Sequence, residues 1–196
     1  MPAFKHVTTL WAVCALVATT IYAQPKSSSP TKTRQQVDIF ATAKPGQWAD
    51  IKGPYQKDNT ILAVKVKFVN GTIAEGDCEV SGKIIALDPQ KNEIKIARQA
   101  PLKCQKTTEF KDKTGVAITF ADLKVGMMVE AEGSYQKDGG FLVAEVEEDI
   151  IKEEEEADYI SVFGKIEKAD AAAKTIQIMG ITFVISEQTK SKLSVK

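Results

Sequence analysis

An internal repeat restricts what this chain can fold into more than any other feature. Residues 124–146, KVGMMVEAEGSYQKDGGFLVAEV, are matched eighty positions earlier by residues 44–66, KPGQWADIKGPYQKDNTILAVKV. Identities fall at Lys44/Lys124, Gly46/Gly126, Gly53/Gly133, Tyr55/Tyr135, Gln56/Gln136, Lys57/Lys137, Asp58/Asp138, Leu62/Leu142 and Val66/Val146. In each copy a glycine opens a strand, a second glycine interrupts it, and Asp followed by Asn or Gly turns the chain into another alternating strand. The repeated unit is a hairpin.

A second repeat covers the other half of a unit. Residues 162–178, VFGKIEKADAAAKTIQI, match residues 80–96, VSGKIIALDPQKNEIKI. The chain therefore reads back half, whole unit, front half. A lone half leaves strand edges unpaired and an apolar face half covered, and both are penalised in a soluble chain. Residues 37–70 with 159–196 are thus expected to build one composite barrel, with residues 75–150 inserted as a complete one. The alternatives are halves packed as satellites on the central unit, or halves exchanged between two chains. Within a unit the order is long curved strand, strand, strand, short helical turn at residues 119–123, strand, strand. With glycines bending the first strand (Gly82, Gly164) and the fourth (Gly53, Gly133), this order predicts an all-β fold of two small OB-like five-stranded barrels. A β-sandwich is the runner-up.

The first 23 residues differ from the rest. Lys5 and His6 precede an uncharged run from Val7 to Ala23, and the chain turns polar at Gln24, Pro25 and Lys26. This pattern predicts a signal peptide cleaved after Ala23, and hence a periplasmic or extracellular protein with no membrane span after cleavage. Residues 24–36 are rich in Ser, Pro, Thr and Lys and read as a disordered tether. Residues 147–158, EEDIIKEEEEAD, read as an exposed acidic linker; they lack the turn glycine and ligand spacing of a calcium loop. The chain has 196 residues with equal numbers of basic and acidic side chains, and a balance of this kind does not point to a polyanionic partner.

The expected cleavage also removes the single histidine, His6. A chain without histidine has no imidazole base and no imidazole metal ligand, so Ser-His-Asp and Cys-His catalysis are excluded. No enzyme activity, metal or cofactor is expected.

The pattern VxGxIxxxDxxxxxIxI, followed by FADLKVGMMVEAEG and then YxxDGGxLVAEVE, resembles a bacterial family of exported proteins described only as domain of unknown function 5666. The resemblance covers residues 77–148 fully, and residues 37–69 and 159–196 by halves. It implies a tandem small-barrel fold and export, and it brings no catalytic residue with it.

After cleavage two cysteines remain. A hairpin turning about Lys91 sets Cys78 opposite Cys104, with Cys78, Val80, Ile84, Ile94 and Ile96 sharing the inward face, so a structural Cys78–Cys104 disulfide is expected. Two free buried thiols or a redox pair are the alternatives. Tyr55 and Tyr135, each beside Gln-Lys-Asp, are candidate ligand contacts as stacking platforms for a base or sugar, or else caps of the barrel ends. Trp48, aligned with Met128, reads as core. Lysines 83, 91, 95, 103, 106, 111 and 113 with Arg98 give the central unit a basic face, though nucleic acid is not expected as a partner. The expected function is a non-catalytic binding or interaction module of the cell envelope, monomeric or strand-exchanged, with an envelope protein or polysaccharide as partner. The alternative is a structural spacer without a small-molecule ligand.

Overall fold

Period-two apolar patterning needs a surface to bury against, and the chain supplies one by curling its strands into rings. The structure is a computed structural model that describes residues 37–56, 60–96, 101–149 and 158–195. The expected signal peptide, the tether and most of the acidic segment lie outside the described residues. A short helix, α1 (Ile39–Thr42), comes first and leads into β1 (Trp48–Pro54) and β2 (Ile61–Asn70). The central unit follows as β3 (Cys78–Lys83), β4 (Ala86–Asp88), β5 (Glu93–Lys95), β6 (Leu102–Lys111), a 3-10 turn (Phe120–Asp122), β7 (Met128–Tyr135) and β8 (Phe141–Glu148). The chain closes with β9 (Tyr159–Asp170), β10 (Thr175–Ile178) and β11 (Ile181–Val195).

The opening and closing segments complete each other within one chain. Strands pair in the order β9–β10–β11–β2–β1, and β1 returns to β9 over Trp48↔Lys165 to Pro54↔Tyr159. This is a closed five-stranded barrel, antiparallel except where β11 runs parallel to β2. It has the strand order of an OB-type barrel, and closure leaves it no open edge. Its interior holds Ile51, Val66, Phe68, Ile176, Ile178 and Phe183, all fully buried, so side chains from both ends of the sequence share one core.

In the central unit the pairing runs β3–β7–β8–β6–β5–β4, with β6 and β8 parallel. The circuit returns to its start through Ile84 and Ile85. Their amides donate to the carbonyls of Met127 (2.8 Å) and Lys95 (2.7 Å), which bends one long strand across two neighbours.

The two units are joined by an antiparallel β3–β9 pairing into one eleven-stranded sheet. Val80 stands opposite Val162, its own counterpart in the repeat. A residue facing its equivalent is the mark of a two-fold relation, so the chain contains, in effect, an isologous dimer of its own repeat. The correspondence extends to detail. Gly126 donates to Ile84 and Gly46 to Ile166, both at 2.8 Å, and both glycines have positive φ (95° and 85°) that a side chain would oppose. Gly133 and Gly53 sit where a Cβ would overlap the carbonyl oxygen of Leu142 or Leu62 on the next strand.

A feature not anticipated from the sequence is a pair of buried threonines that close the parallel pairings. The β6–β8 register shifts between Cys104 and Glu109, and the β11–β2 register shifts between Ile185 and Lys190. Inside each bulge one threonine makes the same two bonds. Thr108 Oγ1 accepts from Gln105 N and donates to Val143 O, each at 2.7 Å. Thr189 Oγ1 accepts from Ser186 N (2.9 Å) and donates to Ala63 O (2.7 Å).

The expected hairpin register is corrected. Ala86 faces Lys95, and Leu87 faces Ile94, one position away from a turn centred on Lys91. After Ile96 the chain does not run on beside β3; it reverses, and β6 pairs with β5 through Glu93↔Lys103 and Ile94↔Leu102. Cys78 therefore lies opposite Gly133, and Cys104 opposite Val143, with β7 and β8 between them. The opposed pair expected of Cys78 and Cys104 is not formed, and both thiols are free. The inward parity was legible all the same: Cys78, Val80, Ile84, Ile94 and Ile96 are all buried.

Candidate functional site

The residues that alternate with the core face outward along the fused sheet, and they form rows that cross both units. One row runs Lys65, Lys52, Ser161, Ser81, Glu130, Glu147, Lys111 over β2, β1, β9, β3, β7, β8 and β6. The adjacent row runs Lys67, Asp50, Phe163, Glu79, Glu132, Glu145, Glu109. Charge separates over the two rows together: Lys52, Lys65 and Lys67 stand against Asp50 in the composite unit, and six glutamates against Lys111 in the central one. Glu130 faces Glu147 and Glu132 faces Glu145, and like charges set directly opposite each other destabilise a sheet. Lys111 offsets one of them, pairing with Glu145 at 2.7 Å. A groove of about 500 Å³ beside this row is lined by Gln105, Thr107, Glu109, Glu132, Ser134 and Glu145.

Of the seven lysines expected to make the central unit basic, three are paired with carboxylates. Lys83 pairs with Asp158 at 2.9 Å, Lys91 with Asp88 at 3.4 Å and Lys111 with Glu145, while Arg98 lies outside the described residues. No group of three or more His, Cys, Asp or Glu side chains able to hold a metal occurs among the described residues. Trp48 is buried, its ring 5.2 Å from that of Phe163, with the Lys165 ammonium 5.6 Å above it.

Tyr55 and Tyr135 both lie at the seam between units, in different surroundings. The Tyr135 hydroxyl hydrogen-bonds to the Glu167 carboxylate and lies beside Gly180, whose amide donates to Glu167 Oε2 at 2.9 Å. Burial first, and Glu167 second, push the Tyr135 hydroxyl up to about 12. This tyrosine is a structural tie across the seam. Tyr55, its repeat equivalent, lines a cavity of about 220 Å³ together with Ile85 and Tyr159. The seam also repeats an ion pair: Lys83 with Asp158 on one side, Lys165 with Glu75 on the other.

Both thiols are held in the neutral form. Burial pushes Cys104 up to about 12 and raises Cys78, whose thiol lies 3.8 Å from the Glu75 carbonyl it donates to. For a group whose folded pKa exceeds its unfolded value of about 8.5, the stabilising contribution is complete below that value and is lost as pH rises towards the folded one. Stability is therefore expected to fall between about pH 9 and 12, by on the order of 1 kcal/mol per pH unit once the groups are partly screened. Urea titrations at pH 8 and pH 10.5 check this, and Cys104→Ala should flatten the fall. A profile unchanged in that variant would remove the thiol as its source.

Together these features define a class before they define a family: an all-β protein of OB-type units with no helix, among the described residues, long and apolar enough to cross a membrane. Residues 81–147, nearly all of the central unit, match the family described as Domain of unknown function (DUF5666). No curated protein and no solved structure matches the chain.

Proposed function

We propose that the protein is an exported, non-catalytic interaction module of the cell envelope, which binds an envelope protein or polysaccharide through the outer face of its fused sheet. Export is supported by the uncharged run from Val7 to Ala23 behind Lys5. A binding role, without catalysis, is supported by a sequence that has no histidine beyond His6 and therefore no imidazole base. The observation that carries the reading is the pair of outer rows, in which Glu132 is set against Glu145 and Glu130 against Glu147. A surface that retains opposed like charges at a cost in stability is better suited to meeting something than to being inert.

A structural spacer is the second reading, favoured by the hydrogen-bonded β3–β9 seam, which makes one continuous body of the two units. One pair of variants separates the two readings. Glu132→Lys places a lysine opposite Glu145, which should hold or raise the melting temperature while reversing charge at the centre of the face. Photo-crosslinking of the wild-type chain in intact envelopes should give discrete adducts that Glu132→Lys loses. Adducts equal in both, or none in either, would favour the spacer. Mass spectrometry of the exported protein should find its first residue at Gln24.

A further inference from the structure

The two units share one fold and carry opposite charge on the same face. At three outward positions of the repeated hairpin the composite unit has lysine where the central unit has glutamate: Lys52 against Glu132, Lys65 against Glu145 and Lys67 against Glu147. The pairing is repeated along with the place. Lys52 stands opposite Lys65 across β1 and β2, and Glu132 stands opposite Glu145 across β7 and β8. Each unit thus holds a like-charged cross-strand pair at the same point of its hairpin, and each such pair costs stability. What the arrangement provides is one face with a positive half and a negative half. Lys65 and Lys67 are half-exposed on it, and Glu130, Glu132 and Glu147 are exposed.

We infer that this face docks on a second copy of the chain, the lysines of each copy over the glutamates of the other. Strand order supplies the geometry. β1 and β7 lie equally far from the β3–β9 seam on its two sides, and so do β2 and β8. A two-fold axis running along the seam, between two copies laid face to face, therefore carries β1 of each over β7 of the other and β2 over β8. The interface is isologous, so each contact between opposite charges is made twice. Lys52 comes over the Glu130 and Glu132 segment of β7, and Lys65 and Lys67 come over the Glu145 and Glu147 segment of β8. Asp50 is the one carboxylate carried among the lysines. Other occupants use one half at a time. A polyanion on the lysines, or a basic segment on the glutamates, would be repelled by the neighbouring half. A second copy has both signs at the required spacing, and charge complementarity of this kind selects partner and register. The inference rests on the proposed reading of the outer face as a meeting surface, and it names the partner.

The test is sedimentation of the full chain from about 1 μM to about 1 mM, in about 0.01 M and about 1 M salt, where charges are screened over about 30 Å and about 3 Å. A monomer–dimer equilibrium is expected at low salt and should weaken at least tenfold at high salt. Two double variants then reverse one half each. Lys52→Glu/Lys65→Glu leaves a like-charged pair in place, and Glu132→Lys/Glu147→Lys turns two like-charged pairs into attractive ones, so the melting temperature should hold in both. Each variant alone should dimerise at least tenfold more weakly than the wild type, and the two mixed should associate more tightly than either does alone. A dimer indifferent to salt, variants that dimerise as the wild type does, or a mixture no tighter than its components would each overturn the inference. So would a chain that stays monomeric at low salt. If that monomer still gave Glu132-dependent adducts with other envelope components, the proposed function would stand without this partner; with no adducts, both would fall.

Discussion

Deleting residues 159–196 is expected to unfold β1 and β2, although the cut lies far from them in sequence. Those strands keep their hairpin pairing, Trp48↔Val69 to Lys52↔Lys65, but lose β9 from one side and β11 from the other. An isolated two-stranded hairpin is marginal in water at best. Its core residues Ile51, Val66 and Phe68, each fully buried in the closed ring, would face solvent. At roughly 1.5–3 kcal/mol for each such side chain, the loss from these and their partners Ile176, Ile178 and Phe183 is comparable to the whole stability of a domain of this size. Hydrogen exchange should find the amides of residues 48–70 unprotected in the truncated chain. The central unit loses the short β3–β9 pairing and the ties from Tyr135 to Glu167 and from Glu75 to Lys165, and should keep part of its protection. Unchanged protection of residues 48–70 would mean that the shared core contributes little.

Thr189→Val is expected to cost about 2–4 kcal/mol, an unusual penalty for a substitution that preserves shape. The hydroxyl is buried and serves both the Ser186 amide and the Ala63 carbonyl inside the bulge of a parallel pairing. Valine fills the same space and leaves two backbone groups without a partner, at roughly 1–3 kcal/mol each. Thr189→Ser should recover most of the loss, because the hydroxyl and not the methyl group closes the bulge. The same pair of changes at Thr108 should act on the central unit, where Gln105 and Val143 are the partners. Equal stability of the valine and serine variants would show that water replaces the hydroxyl.

The order of elements was readable in the residues because it depends on local chemistry. Alternation from Cys78 to Ala86, the turn at residues 88–92 and the two copies of the hairpin each carry their own signal, and each has its element in the fold. The inward parity of the central strand was equally legible, since it follows from period two alone. The position at which β5 gives way to β6 was not. Whether the chain after Ile96 runs on or turns back depends on which neighbour offers Ile94 and Leu102 a shared interior, and that neighbour is set by ring closure. The mistaken opposition of Cys78 and Cys104 came from extending one hairpin past the point where tertiary packing ends it.

The candidate site divides in the same way. Tyr55 and Tyr135 look alike in sequence, both followed by Gln-Lys-Asp. Only across the seam do their surroundings part, because Tyr135 meets Glu167 while Tyr55 lines a cavity with Ile85 and Tyr159. The outer rows were invisible for a related reason. No segment is acidic or basic enough to draw notice over β7 or β2, and the rows appear only when seven strands are laid side by side.

By itself the sequence determined that this protein is built from repeated β-hairpins, one unit whole and one split between its ends, because alternation and turn residues act over a few positions. Only the tertiary structure decided that the units fuse through β3 and β9 about Val80 and Val162. It also set the register of each ring and gave the two repeated tyrosines different surroundings at the seam. These outcomes depend on closure and burial between segments remote in the chain, which no local pattern encodes.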